Sequence, residues 1–139
     1  MPAFNKFNAF VEDMAEKVHN LGADTLKVVL TNTAPAATNA QLSEITQIAN
    51  GNGYTTGGAT ATISASAQTA GTYKLTLADV VFTATGGSMG PFRYAVLYND
   101  TSTNDRLIGW WDYGSAVTLA EYDTFTVDFD AAAGVLTLA

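Results

Sequence analysis

Residues 92–98 read Phe92, Arg93, Tyr94, Ala95, Val96, Leu97, Tyr98, and residues 107–111 read Leu107, Ile108, Gly109, Trp110, Trp111. Both runs are rich in β-forming side chains and apolar on both parities, the pattern of a central strand covered on two faces. One face of such a strand meets an opposite sheet. The other meets an amphipathic helix or a neighbouring subunit. Outward from this pair, everything from Ala59 to the end is strand-like, with Thr, Val, Ile, Tyr and Phe in short runs separated by Gly, Asn and Asp. Strands are predicted at 60–67, 72–77, 80–85, 92–98, 107–112, 117–119, 124–129 and 135–138, with turns at Ala70-Gly71, Gly86-Gly87-Ser88, Asn99 to Asp105 and Ala133-Gly134. Upstream, Leu26, Val28 and Leu30 alternate with Lys27, Val29 and Thr31 and add one more strand. Many short strands with turn signals predict a mainly β fold, a β-sandwich or barrel of jelly-roll-like kind.

The period differs at the N-terminus. Phe4, Phe7, Phe10, Val11, Met14, Val18 and Leu21 fall on one helical stripe, so residues 4–21 are predicted to form an amphipathic helix. Gly22 suits its left-handed C-terminal cap, and Asp13 and Lys17 stand four apart in the favourable orientation. Residues 32–58, with Ala34-Pro35, several Asn and a Gly-rich end, form a long connection whose Leu42, Ile45 and Ile48 suit one or two helical turns. Connections this long are often functional or seated on a partner. The chain is thus expected to be one β-rich domain over 1–139, with an N-terminal arm and helix (1–22) and a long connection (32–58). Its core is expected to hold Phe7, Val11, Met14, Val28, Leu30, Leu75, Leu77, Val96, Trp111, Phe125 and Val127.

The 139 residues are 47% hydrophobic and 14% charged, which excludes a disordered tail. Six Lys and Arg against 13 Asp and Glu give a net charge of -7, with no basic run, so direct nucleic-acid binding is not expected. The absence of Cys excludes disulfides and thiolate metal sites. Residues 1–20 carry charges throughout and lack the apolar core of a signal peptide, and no stretch approaches a bilayer span, so neither export nor a membrane partner is expected.

Catalysis finds little to work with. His19 is the single histidine, near the expected helix end where a donor beside free carbonyls is favourable, and no GxSxG nucleophile elbow exists. The segment from Gly51 to Gly58 lacks the Lys and following helix of a phosphate loop; a turn or close backbone packing accounts for it better. Asp112, Glu121, Asp123, Asp128 and Asp130 have no EF-hand spacing and read as a solvated acidic rim, not a metal site. Trp110 and Trp111 point to opposite faces of a regular strand. At least one belongs in the core, while the other is a candidate sugar-stacking platform or subunit anchor.

Three stretches, LTNTAPAATNAQLSEITQIANGNGYTTGG (30–58), RYAVLYNDTSTNDRLIGWWDYGS (93–115) and DTFTVDFDAAAGVLTL (123–138), resemble a family of small virion structural proteins of tailed bacteriophages. That resemblance implies a non-enzymatic capsid decoration (cement) protein on the outer head surface, made in the bacterial cytoplasm, with the major capsid protein and copies of itself as partners and no cofactor. The alternatives are a tail component or a carbohydrate-binding β-sandwich module. Candidate protein-contact residues are Phe4, Phe7 and Phe10 of the arm, Pro35 and Tyr54 of the connection, and Trp110.

Overall fold

The computed structural model describes residues 2–139; Met1, the first residue of the expected arm, lies outside the described residues. The order is β1 (Asn5–Lys6), α1 (Asn8–Ala15), β2 (Leu26–Thr31), a 3-10 turn (Leu42–Glu44), β3 (Ala59–Ala61), β4 (Ile63–Thr69), β5 (Thr72–Leu77), β6 (Val80–Thr83), β7 (Met89–Asn99), β8 (Arg106–Leu119), β9 (Thr124–Val127) and β10 (Leu136–Leu138). Strand makes up 46% of the chain and helix 8%, so the fold is mainly β. Three open antiparallel sheets form, ordered β1-β8-β7-β2-β3, β10-β5-β4 and β6-β9. No helix among the described residues is long and apolar enough to cross a membrane.

The β7–β8 hairpin is the centre. Its register runs from Asn99 opposite Arg106 to Met89 opposite Leu119, with irregularities that let β8 continue as one strand where two were expected. β2 lies against β7, Leu26 opposite Asn99 and Thr31 opposite Tyr94. Alternation along β2 and β7 sorts the side chains, and β8 follows it with a change of phase at Ile108, the extra residue between the Gly109 and Leu107 pairings. Leu26, Val28 and Leu30, with Leu97, Ile108 and Trp111, enter the main core, where Leu75, Leu77, Phe82 and Val127 of the smaller sheets meet them. Val29, Val96, Tyr98 and Leu107 form a second apolar cluster with Phe7 and Ile45, to which Leu42 and Trp110 add partly buried surface. Trp110 and Trp111 do face opposite ways. The strand expected at 60–67 divides at Thr62, so that β3 pairs with β2 while β4 pairs with β5.

The arm departs from expectation. Helix covers only Asn8–Ala15; Phe4 to Phe7 are extended, with Asn5 opposite Trp110 and Lys6 opposite Gly109 on β8. An extended arm gains backbone partners, including Phe7 N–H on the Ile108 carbonyl at 3.2 Å. Gly109 makes room for it, since a Cβ there would stand 2.1 Å from the Phe4 ring. The left-handed residue that follows the helix is Lys17, at φ 68 just after the C-cap Glu16, and not Gly22. Asp13 pairs with Arg106, not with Lys17. Because the helix buries Phe10 and Asp13, Val11, one residue round the helix from Phe10, is 54% exposed and leaves the expected core. Met14 and Phe125 are only partly buried.

The long connection lies on the sheet. Leu42 N–H reaches the Asp105 carbonyl at 3.0 Å, Leu107 N–H the Ala40 carbonyl at 3.0 Å, and Ile48 N–H the Leu30 carbonyl at 3.1 Å. Helical turns shrink to the 3-10 turn, where the Glu44 carboxylate accepts from Ala40 and Gln41 N–H at 2.6 and 2.9 Å and is held below its ordinary pKa by those bonds. Gly58 lies so close to β2 that a Cβ would stand 1.8 Å from the Val28 carbonyl oxygen.

Candidate functional site

Three of the buried polar residues, Asp13, His19 and Asn99, converge where the end of α1, the loop before β2 and the β7–β8 turn meet. Asn99, fully buried, donates through Nδ2 to Asp24 Oδ2 at 2.7 Å and contacts His19 Nδ1 at 3.0 Å. Its Oδ1 accepts from Thr101 and Ser102 N–H at 3.0 and 3.3 Å. The carboxylate on one side and two N–H groups on the other fix the amide orientation, so Asn99 donates to His19 Nδ1 and the imidazole proton sits on Nε2. Nε2 is buried without a hydrogen-bond partner among the described residues, 4.0 Å from Asp13 Oδ2. Arg106 closes the cluster with Nε and Nη2 on Asp13 at 2.8 and 3.3 Å.

Burial lowers the His19 pKa, with Asp13 and Asp24 opposing and Arg106 assisting. A donor at Nδ1 acts in the same direction, since protonation would set two N–H groups against each other. His19 therefore does not cap helix carbonyls as the sequence suggested; it lies beyond the end of α1, ring against Phe10 at 5.4 Å between centroids. No hydroxyl among the described residues hydrogen-bonds to it: Ser102 Oγ donates to the Asn99 carbonyl at 2.7 Å and accepts from Arg106 N–H at 2.8 Å. The arrangement suits a staple between the arm and the hairpin. Beside it an open groove of about 600 Å³ is lined by Met14, Val18, Leu21, Tyr73 and Leu138 with Lys17 and Asp24.

The expected contact residues divide. Phe7 and Phe10 are 0% and 3% exposed, and Tyr54 is 1% exposed, so these three are spent inside the chain instead of offering surface. Phe7 packs on Trp110 at 4.6 Å. Tyr54 Oη accepts from Leu30 N–H at 3.3 Å and donates to Gln47 Oε1 at 2.7 Å, and burial pushes its pKa up to about 12. Phe4, Pro35 and Trp110 remain half-buried, Phe4 with its ring 5.5 Å from that of Trp111. The sequence reading missed Val81 and Tyr122, 55% and 76% exposed. Val81 could have been found from parity, since Val80 and Phe82 point inward on β6.

The acidic residues are occupied singly. Asp112 takes Arg93 in two bonds of 2.7 and 3.0 Å, which hold its carboxyl below the usual range. Asp130 accepts from Ala132 and Ala133 N–H at 2.8 and 2.9 Å. No group of three or more His, Asp or Glu among the described residues is placed to hold a metal ion. No protein-family model, no curated protein and no solved structure matches this chain.

Proposed function

We propose that the protein is a non-enzymatic virion structural protein of a tailed bacteriophage, a decoration protein that binds the outer head surface and stabilises the shell. The resemblance of the three stretches supports this, and one geometric observation carries it: the first two of them fold together as a single unit. Residues 30–58 lie across residues 93–115, joined by the Gln41–Arg106 bridge and by Tyr98 Oη donating to the Gly57 carbonyl at 2.6 Å. We read the five-stranded sheet and the two smaller sheets facing it as a sandwich of jelly-roll-like kind. Such a unit has rigid faces and edges to offer, and binding that favours one state of a shell stabilises that state by mass action. The partners in this reading are the major capsid protein and further copies of the chain. Trp110 stacks on Phe7, which leaves less of its ring for a sugar.

Mass spectrometry and immunogold labelling of purified particles test the reading. High copy on heads is expected. Label confined to tails, or absence from particles, refutes it.

A further inference from the structure

β4 is the longest strand at a free sheet edge, seven residues against two in β1, three each in β3 and β10 and four each in β6 and β9. Edge strands are usually guarded by Lys, Pro or inward charges. β4 reads Ile63, Ser64, Ala65, Ser66, Ala67, Gln68, Thr69, and no charged residue stands between Glu44 and Lys74. Its one irregularity is a register shift between Ile63 and Ala65. The turn to β5 has two residues, Ala70 and Gly71, both left-handed at φ 51 and 83. Across such a turn Thr69 and Thr72 exchange both backbone bonds. Ala67 with Lys74 and Ala65 with Thr76 then do likewise, and Ser66 and Gln68 direct N–H and C=O to the free edge. No other segment of the described residues makes a backbone hydrogen bond to Ser66 or Gln68.

We propose that β4 is a self-association edge, pairing antiparallel with β4 of a second copy about a two-fold axis at Ala67. In that register Ser66 of each copy faces Gln68 of the other, and each pair exchanges two backbone bonds. Ala67 faces its mate at the close Cα separation of about 4.5 Å typical of a non-hydrogen-bonded pair, which a methyl group fits. The two three-stranded sheets become one continuous sheet. The edge is self-complementary: about a two-fold axis its own N–H and C=O groups at Ser66 and Gln68 meet their like in a second copy, and although chains of -7 repel each other, the tract that meets carries no charge. Lys74, which stands opposite Ala67 on β5, lies three strand spacings, about 14 Å, from its mate, beyond the Debye length of about 8 Å at physiological salt.

This names a partner and a surface within the assembly reading above and rests on it only for self-association. Its test needs the isolated full chain alone: sedimentation equilibrium with amide hydrogen exchange across a concentration series. Dimers are expected, with the Ser66 and Gln68 amides gaining protection as they form. Ala67→Glu, at an exposed position on the outer face, sets two carboxylates opposite each other and should raise the dimer dissociation constant about tenfold or more. Gln68→Pro removes an outward N–H and should act in the same direction. A chain monomeric at every concentration, a dimer indifferent to both substitutions, or edge amides protected only on phage heads would overturn the proposal. The last result would instead make the occupant a capsid strand. Head binding is measured separately, so loss of the decoration reading leaves the self-pairing result standing.

Discussion

Asn99→Ala and Asn99→Asp ask whether the buried polar cluster is a staple, and the structure sets both the size and the sign of the answer. The alanine leaves His19 Nδ1 and the Thr101 amide without their partner and takes one partner each from Asp24, which keeps Asn20 N–H at 2.8 Å, and from the Ser102 amide, which keeps the Asn99 carbonyl at 3.3 Å. A neutral hydrogen bond nets about 0.5–1.5 kcal/mol and one to a charged group about 1.5–3 kcal/mol; with Asp24 half-exposed to replacement water, the expected loss is about 3–5 kcal/mol. The pH dependence is the sharper readout. Unfolded His19 titrates near 6.5, and burial holds the native group lower. As pH falls through 6.5 the unfolded chain takes up a proton that the native one refuses, so stability falls, at most about 1.4 kcal/mol per pH unit, until the native pKa is reached. Asn99→Asp gives an imidazolium an acceptor at Nδ1 and sets a second carboxylate against Asp24, 2.7 Å from the replaced Nδ2, so that the added negative charge raises the native pKa. Its contribution is then full below 6.5 and is lost as pH rises through the raised value, so the slope reverses. Urea unfolding followed by tryptophan fluorescence between pH 5.5 and 7.5 measures both. A flat wild-type profile, or the same slope in Asn99→Asp, refutes the tautomer and the staple together.

Phe7→Ala removes a fully buried ring from the second apolar cluster and should cost about 3–5 kcal/mol in urea unfolding; a loss below about 1 kcal/mol would mean the arm is not seated on β8. Gly58→Ala drives a Cβ into the Val28 carbonyl at φ 76 and should cost several times more than Gly71→Ala, which meets open space at φ 83 and pays only about 1–2 kcal/mol of left-handed strain. Equal melting shifts in the two variants would contradict the close approach. Gly109→Ala should cost about 1–3 kcal/mol by displacing the Phe4 ring and crowding the Asn5 carbonyl oxygen at 2.8 Å, and a double-mutant cycle should show the ring's share of that penalty vanishing in a Phe4→Ala background while the backbone share remains. Full additivity would place Phe4 elsewhere.

The β-rich part of the fold was legible because alternation is a local signal. The pattern of Leu26, Val28 and Leu30 marked β2, and the turn chemistry around Ala70-Gly71 set off β4 from β5. The helix was over-read because a spacing of three is ambiguous. In a helix, residues three apart share a face; in a strand, they point to opposite faces. Phe4 and Phe7 do the latter, Phe4 packing on the main core and Phe7 entering the second cluster. The polar cluster was invisible for another reason. His19 and Asn99 lie 80 positions apart, and Asp13 and Arg106 lie 93 apart, and no periodicity joins them. What the sequence did offer was the Asn99, Asp100, Thr101, Ser102 turn, whose Asn side chain folds back on two N–H groups.

Placing the arm and the connection on the sheet changes what they can do for assembly. Both stood out in the sequence because an isolated β fold did not explain them: three Phe close together, and a connection far longer than most. The second apolar cluster explains both at once. A sheet apolar on two faces needs two covers; the smaller sheets supply one, and the arm and connection supply the other from within the same chain. Removing residues 1–5 would therefore take Phe4 from its place over Gly109 and β1 from β8, so lost attachment to heads in such a truncation would no longer separate binding from folding. With both faces of the central sheet closed, the attachment proposed above falls to features the chain does not itself consume. These include the half-buried Pro35, exposed Val81 and Tyr122, and above all the β4 edge, whose backbone groups at Ser66 and Gln68 have no backbone partner among the described residues.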